Sequence, residues 1–313
     1  MHRQSRGVES GIRITTIWQI TNKNPTVMRK AIITLVALAA ICSAQTASAW
    51  GSWTHKFIAH TADKYLEPEV KAKVDKYLGS PMIDHCTWMD QIRKPIRKKS
   101  HPDHERLQPY RPSLLWHGMV LDEKFRPSDK RAAKGRGALY PNLEKSIENL
   151  RNYRNMTDSA VAVNLKYVIH MMQDMHCPSH VFYTEFPDCF GGEPSGPAGR
   201  IFMRVYYEGK KTTYHAVWDG LSIRVLYPEC GKDYELFRQK MDKYTPKQRA
   251  KLCRGTLLDW ATDTGKRCRP IYNKVEPQDH IDRDFLLGYR KISEGQAMRS
   301  AYRLAHLLNE IFR

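Results

Sequence analysis

The chain has 313 residues, with 51 Lys+Arg against 33 Asp+Glu and a net charge of +18. Hydrophobic residues make up 41%, which excludes a disordered or low-complexity chain, and a mean hydropathy of −0.60 excludes a polytopic membrane protein. The positive excess points to an anionic partner such as nucleic acid, a phosphorylated metabolite or a lipid surface.

Met28 is followed by Arg29 and Lys30, an apolar run Ala31–Ile41 and a small-residue stretch ending Ala47-Ser48-Ala49. A positive start, a short apolar centre and an A-x-A site read as a secretory signal peptide over residues 28–49. The run is too short to cross ~30 Å of hydrocarbon as a helix. Residues 1–27 are read as an upstream extension without function. Cleavage after Ala49 leaves 264 residues, 50–313, read as one functional domain beginning at Trp50. It removes six of the 51 basic residues and one acid, Glu9, so the mature charge is +13. Six cysteines remain: Cys86, Cys177, Cys189, Cys230, Cys253 and Cys268. An exported chain permits disulfides. No C-x-x-C pair is present, which argues against a thiolate zinc knuckle.

Along the mature chain, helical periodicity dominates. Helices are predicted over Trp53–Tyr65, Val70–Leu78, Asn142–Tyr153, Ser159–Met175, Lys247–Thr262 and Phe285–Phe312. One hairpin is predicted, Ile201–Tyr207 with Lys211–Tyr214 around a Glu208-Gly209-Lys210 turn, after a Gly/Pro-rich loop at Phe186–Gly199. The expectation is a single all-α domain with a short β-hairpin insertion. Arg93–Lys99 and Lys130–Arg136 are markedly basic. Each is read as either a solvated face or a phosphate-backbone contact.

Three clusters carry chemistry. His170 and Asp174 are four residues apart, about 40° apart around a helix, so both reach one face. Pro178 ends that helix and lets His180 swing back. His176 points about 240° away from His170 and is left out of the set. His215 and Asp219 repeat the four-residue spacing. Asp90, in Trp88-Met89-Asp90-Gln91-Ile92-Arg93, and His117, after Trp116, complete the third group. Imidazoles and carboxylates without thiolates suit zinc in a hydrolytic site.

The ordered set resembles the zinc-dependent, single-strand-specific nucleases of the S-one/P-one type, which share a fold with bacterial zinc phospholipases C. The mature chain begins with Trp50, has His55 five residues later, then W-x-D-x-x-R, an isolated WH, H-x-x-x-D-x-x-x-P-x-H and H-x-x-W-D, in that order. The resemblance implies three Zn2+ ions. Asp90, His117, His170 and Asp174 would hold one. Asp174 would bridge to a second, completed by His55 and the α-amine and carbonyl of Trp50. His180, His215 and Asp219 would hold the third. A water between paired cations loses its proton near neutral pH and attacks phosphorus, with Asp174 central and Arg93 either touching phosphate or pairing with a ligand carboxylate. The implied activity is a secreted or periplasmic endonuclease on single-stranded DNA or RNA. It would give 5′-phosphate ends and have 3′-nucleotidase activity, without stable membrane insertion or an obligate protein partner. The alternative is a zinc phospholipase C acting on lipid head groups.

The chain departs from the family pattern beside the ligands. Gly118 stands where an aromatic follows the WH histidine, and Val120 stands at the third position, where an acid or amide is expected. Asp122 is a candidate replacement acid, and Tyr183, Phe186, Tyr206 and Tyr214 are candidates for a base-stacking platform. Cys177 and Ser179 stand between Asp174 and His180 where Gln and Leu are usual. Cys177 is open to three readings: a disulfide partner, a neighbour of zinc, or a buried inert thiol.

Overall fold

The structure, a computed structural model, describes residues 50–129, 137–185 and 200–313. The upstream extension, the signal peptide, the basic stretch Lys130–Arg136 and the loop Phe186–Gly199 with Cys189 lie outside these residues.

The chain is mostly helical, as the periodicity predicts. The main helices are α1 (Ser52–Asp63), α2 (Pro68–Leu78), α3 (Leu139–Arg151), α4 (Asp158–His176), α5 (Pro246–Cys253), α6 (Leu257–Cys268) and α7 (Arg290–Phe312). α4 is the axis, and α2, α3 and α7 all pack on it. The Thr157 hydroxyl caps its start by accepting from the Ala160 amide. From Tyr167 to His176 every residue is buried, so this half of α4 has no solvent face. Val168, Ile169, Met171, Met172 and Met175 fill the core, and His170 and Asp174 are carried inside with them.

Two predicted helices are each broken once. Lys247–Thr262 divides into α5 and α6 at Gly255, whose φ of +96° is left-handed and ends a right-handed run. Thr256 then restarts the chain with a capping box to Asp259. Phe285–Phe312 divides into a helix Arg283–Gly288, capped by Asp282, and α7. Periodicity alone does not register such breaks, because the apolar stripe continues across them.

The strands are few and short. β1 (Met119–Leu121) pairs in parallel with β2 (Val181–Tyr183), a contact between distant segments that the sequence did not signal. β3 (Arg204–Tyr207) and β4 (Lys210–Thr213) form the predicted hairpin. Glu208 and Gly209 both have positive φ, the conformation such a two-residue turn requires. β3 starts later than expected, because Arg200–Phe202 is a 3-10 turn, and it also pairs in parallel with β5 (His280–Ile281). The five described cysteines, Cys86, Cys177, Cys230, Cys253 and Cys268, are free and buried, so no disulfide forms among the described residues. No helix among the described residues is long and apolar enough to cross a membrane.

Behind α4 lies a buried charge network. Asp263 accepts from Arg303 at 2.9 Å and forms an ion pair with Arg299 at 3.3 Å, and Arg303 also donates to His176 Nε2 at 3.0 Å. His176 donates through Nδ1 to its own helix at Met172 O, 2.8 Å away. Burial works against ionisation of Asp263, but the Arg303 guanidinium outweighs it and holds the carboxyl below its usual range. Removing this carboxylate strands two buried cations. Asp263→Ala should therefore lower stability by about 3 kcal/mol, read by denaturant melts. The wild-type contribution should be full above the unfolded carboxylate value of about 3.9 and lost as pH falls through the lower folded value. A variant as stable as wild type at pH 7 would refute this.

Candidate metal centre

The candidate ligands arrive on five segments, and local structure aims each one. α4 presents His170 and Asp174 one turn apart. Pro178 opens the 3-10 turn Pro178–His180, which stops α4 and brings His180 back towards it. β1 begins two residues after His117 and β2 directly after His180, so their pairing sets these two residues side by side, and His180 Nδ1 bonds His117 O. The hairpin leads through the Thr213 cap into Tyr214–Ala216, and a π-turn Val217–Leu221 carries Asp219. α1 supplies His55, and the short helix Trp88–Gln91 supplies Asp90.

Asp174 is the centre. Its Oδ1 faces His55 Nε2 at 3.4 Å, and its Oδ2 faces His117 Nδ1 at 3.1 Å and His170 Nε2 at 3.2 Å. The two oxygens thus address different imidazoles, as a bridging carboxylate does. Asp90 lies 3.8 Å from His117 Nδ1 and 4.0 Å from His170 Nε2. His180 Nε2 is 3.4 Å from Asp219 Oδ1, and His215 Nδ1 is 3.7 Å from Asp219 Oδ2. Donor atoms gather into three groups: His55, His170 and Asp174; Asp90, His117 and His170; Cys177, His180 and Asp219. The third includes Cys177, which the sequence reading left open.

Outer partners fix the imidazoles. His55 Nδ1 donates to Gln173 Oε1 at 2.6 Å, and His170 Nδ1 donates to Cys86 O at 2.8 Å. Each Nε2 lone pair is thereby turned inwards. His55 Nε2, Asp174 Oδ1, Asp90 Oδ2 and His180 Nε2 are buried and form no hydrogen bond. Such orphans are costly unless something else satisfies them. Bonds of about 2.0–2.2 Å to nitrogen and oxygen around tetrahedral zinc separate ligand atoms by about 3.4 Å, within the 3.1–4.0 Å range of the separations here.

Electrostatics give the same answer. Burial opposes charge on Asp174, but His170 and His180 outweigh it and hold the carboxyl well below its usual range. Burial also opposes charge on His170, yet Asp174 and Asp90 raise it to about 9. Burial takes His117 down to about 4. Around Asp174 and His170 the electrostatics favour positive charge.

Trp50 is fully buried, and its indole donates to Gln173 O at 2.8 Å. The Gly51 amide donates to Asp219 O at 2.7 Å. Trp50 and Gly51 are therefore tied next to both Asp174 and Asp219. Arg93 pairs with Asp90 Oδ1 at 3.2 Å and also lines a pocket of about 170 Å³. His117, His180 and His215 line that pocket, together with Gly118, Phe182 and Phe202.

The proposed stacking residues lie elsewhere. Tyr183 and Tyr214 are core residues, with hydroxyls bonded to Gly265 O and Ile271 O. Tyr206 stacks on His280 at 4.6 Å, and Phe186 lies outside the described residues. Asp122 accepts from the amides of Lys124 and Arg126 in its own turn. The aromatic wall is Phe182 and Phe202 instead. A Cβ on Gly118 would stand 2.5 Å from the Phe182 ring, so that ring occupies the space a side chain at 118 would need. Phe182 was legible only through the β1–β2 pairing, which has no local signal.

Buried carboxylates and imidazoles converging on shared points, in an all-α scaffold, define a metal-dependent hydrolase. The S1/P1 nuclease family model matches residues 50–313, and the chain belongs to that family of zinc-dependent phosphodiester hydrolases. No curated protein matches the sequence.

Because neutral imidazoles are required, protons compete with the cation. Zinc affinity should fall as pH drops below about 9, where the metal-free His170 imidazole takes up its proton. Asp174→Ala should lose most zinc already at pH 7. Elemental analysis after dialysis reads both, and full zinc retention by Asp174→Ala would rule out its bridging place.

Proposed function

We propose that the protein is an exported endonuclease that cleaves single-stranded DNA or RNA to 5′-phosphate ends, with 3′-nucleotidase activity, at a three-zinc site. The carrying observation is the shared pocket: the aromatic rings of Phe182 and Phe202 line the same pocket as His117, His180 and His215. Zinc would be held by Asp90, His117, His170 and Asp174, by His55, Asp174 and the Trp50 terminus, and by His180, His215 and Asp219. There it supplies Lewis acidity at phosphorus and a nucleophile active near neutral pH.

The chain's own residues do the rest. Asp174 holds two groups of imidazoles at one carboxylate. Arg93 pairs with Asp90 and lines the pocket, where its positive charge favours a phosphate and disfavours the quaternary ammonium of a choline head group. Phe202 stacks on His215, with ring centroids 5.1 Å apart at 15°, and extends a flat surface beside the cluster. A base stacked there is worth about 1–3 kcal/mol. Export fits the signal segment, and cleavage before Trp50 would free the α-amine to act as a ligand.

Hydrolysis of single-stranded DNA, RNA and 3′-AMP, with none of phosphatidylcholine, is the expected outcome, and Asp174→Ala should abolish it. Lipid turnover without nucleic-acid cleavage would install the phospholipase reading instead. Phe202→Ala should weaken single-strand binding roughly 5- to 150-fold at retained zinc content; unchanged binding would remove the base from this wall. A precursor kept uncut at Ala49 should be far less active than the processed chain, and equal activity would exclude the α-amine as a ligand.

A further inference from the structure

Cys177 sits between the end of α4 and the turn carrying His180, and it is fully buried. Its Sγ lies 3.6 Å from Asp219 Oδ1 and 3.1 Å from Ser179 Oγ. The same Oδ1 lies 3.4 Å from His180 Nε2, whereas His215 faces the other carboxylate oxygen. Sulfur, nitrogen and oxygen all fall within 4.8 Å of one another. His180 Nε2 is buried beside them and makes no hydrogen bond.

These distances can be compared with a coordination tetrahedron. Zinc bonds of about 2.3 Å to sulfur and about 2.1 Å to oxygen place those ligand atoms about 3.6 Å apart. Nitrogen and oxygen ligands fall about 3.4 Å apart on the same reckoning. Both observed spacings match edges meeting at Asp219 Oδ1. A thiol hydrogen bond to the carboxylate would account for the first spacing alone.

We infer that Cys177 is a thiolate ligand of the cation held by His180 and Asp219. The inference rests on the reading of the cluster as a zinc site. On binding, the S–H bond breaks, a sulfur–metal bond forms and the proton passes to solvent, with no change of oxidation state. The Ser179 hydroxyl is placed to donate to the sulfur and to hold it in position. The polarisable sulfur makes this the cluster's softest site, selective for thiophilic cations. It also exposes this site to loss of metal when the sulfur is oxidised.

The test replaces the native metal of the full protein with cobalt(II) and records the near-ultraviolet spectrum. A thiolate-to-cobalt charge-transfer band is expected in the wild type. It should be lost in Cys177→Ser, while cobalt at the other positions keeps its visible bands and so reports an intact fold. A cobalt-loaded wild type without the band, or a band that survives Cys177→Ser, overturns the inference and leaves the zinc site standing. A protein that binds no cobalt at all would overturn the zinc site and this ligand with it.

Discussion

One ionised carboxylate sets the terms for this molecule. Asp174 is wholly buried, yet it stays charged, because the imidazoles of His55, His117, His170 and His180 surround it within 3.7 Å. An isolated buried carboxylate would neutralise itself by taking up a proton. Here its neighbours make that unnecessary. The apolar helix α4 is what allows the arrangement. Its last three turns are buried on all sides, so the charge is screened by protein groups alone.

The remaining architecture supplies partners to that helix from around it. α1 and the Trp88–Gln91 turn approach one side with His55 and Asp90, while the paired strands β1 and β2 bring His117 and His180 together. On the far side, Arg303 and Arg299 meet Asp263, and Arg303 reaches His176. Histidines only six positions apart on α4 therefore serve opposite ends: His170 faces the cation site and His176 accepts from a guanidinium. Helical phase separates them.

That phase was readable in the sequence, and so were the helices, because both depend on local periodicity. The H-x-x-x-D and H-x-x-W-D spacings likewise needed only neighbouring residues. What depends on chain crossing was not legible. The β1–β2 pair is three residues long and parallel, and it joins segments some sixty positions apart, so no local pattern announces it. Phe182 consequently went unnoticed as a wall, and Tyr183, its neighbour, was named instead. Strand alternation turns one of that pair to the pocket and the other to the core. The break at Gly255 was missed for a different reason: one left-handed residue costs little pattern but redirects the chain.

The scattering of the ligands also bears on how the fold is held together. Candidate ligands run from residue 55 to residue 219, while none of the described cysteines is cross-linked. A cation bound only by the native arrangement closes several long loops at once, and its binding free energy adds directly to folding. The metal thus does the work of a covalent cross-link, with one difference: its strength follows the concentration of free cation outside the protein. Chelation would then switch off catalysis and loosen the fold in the same event.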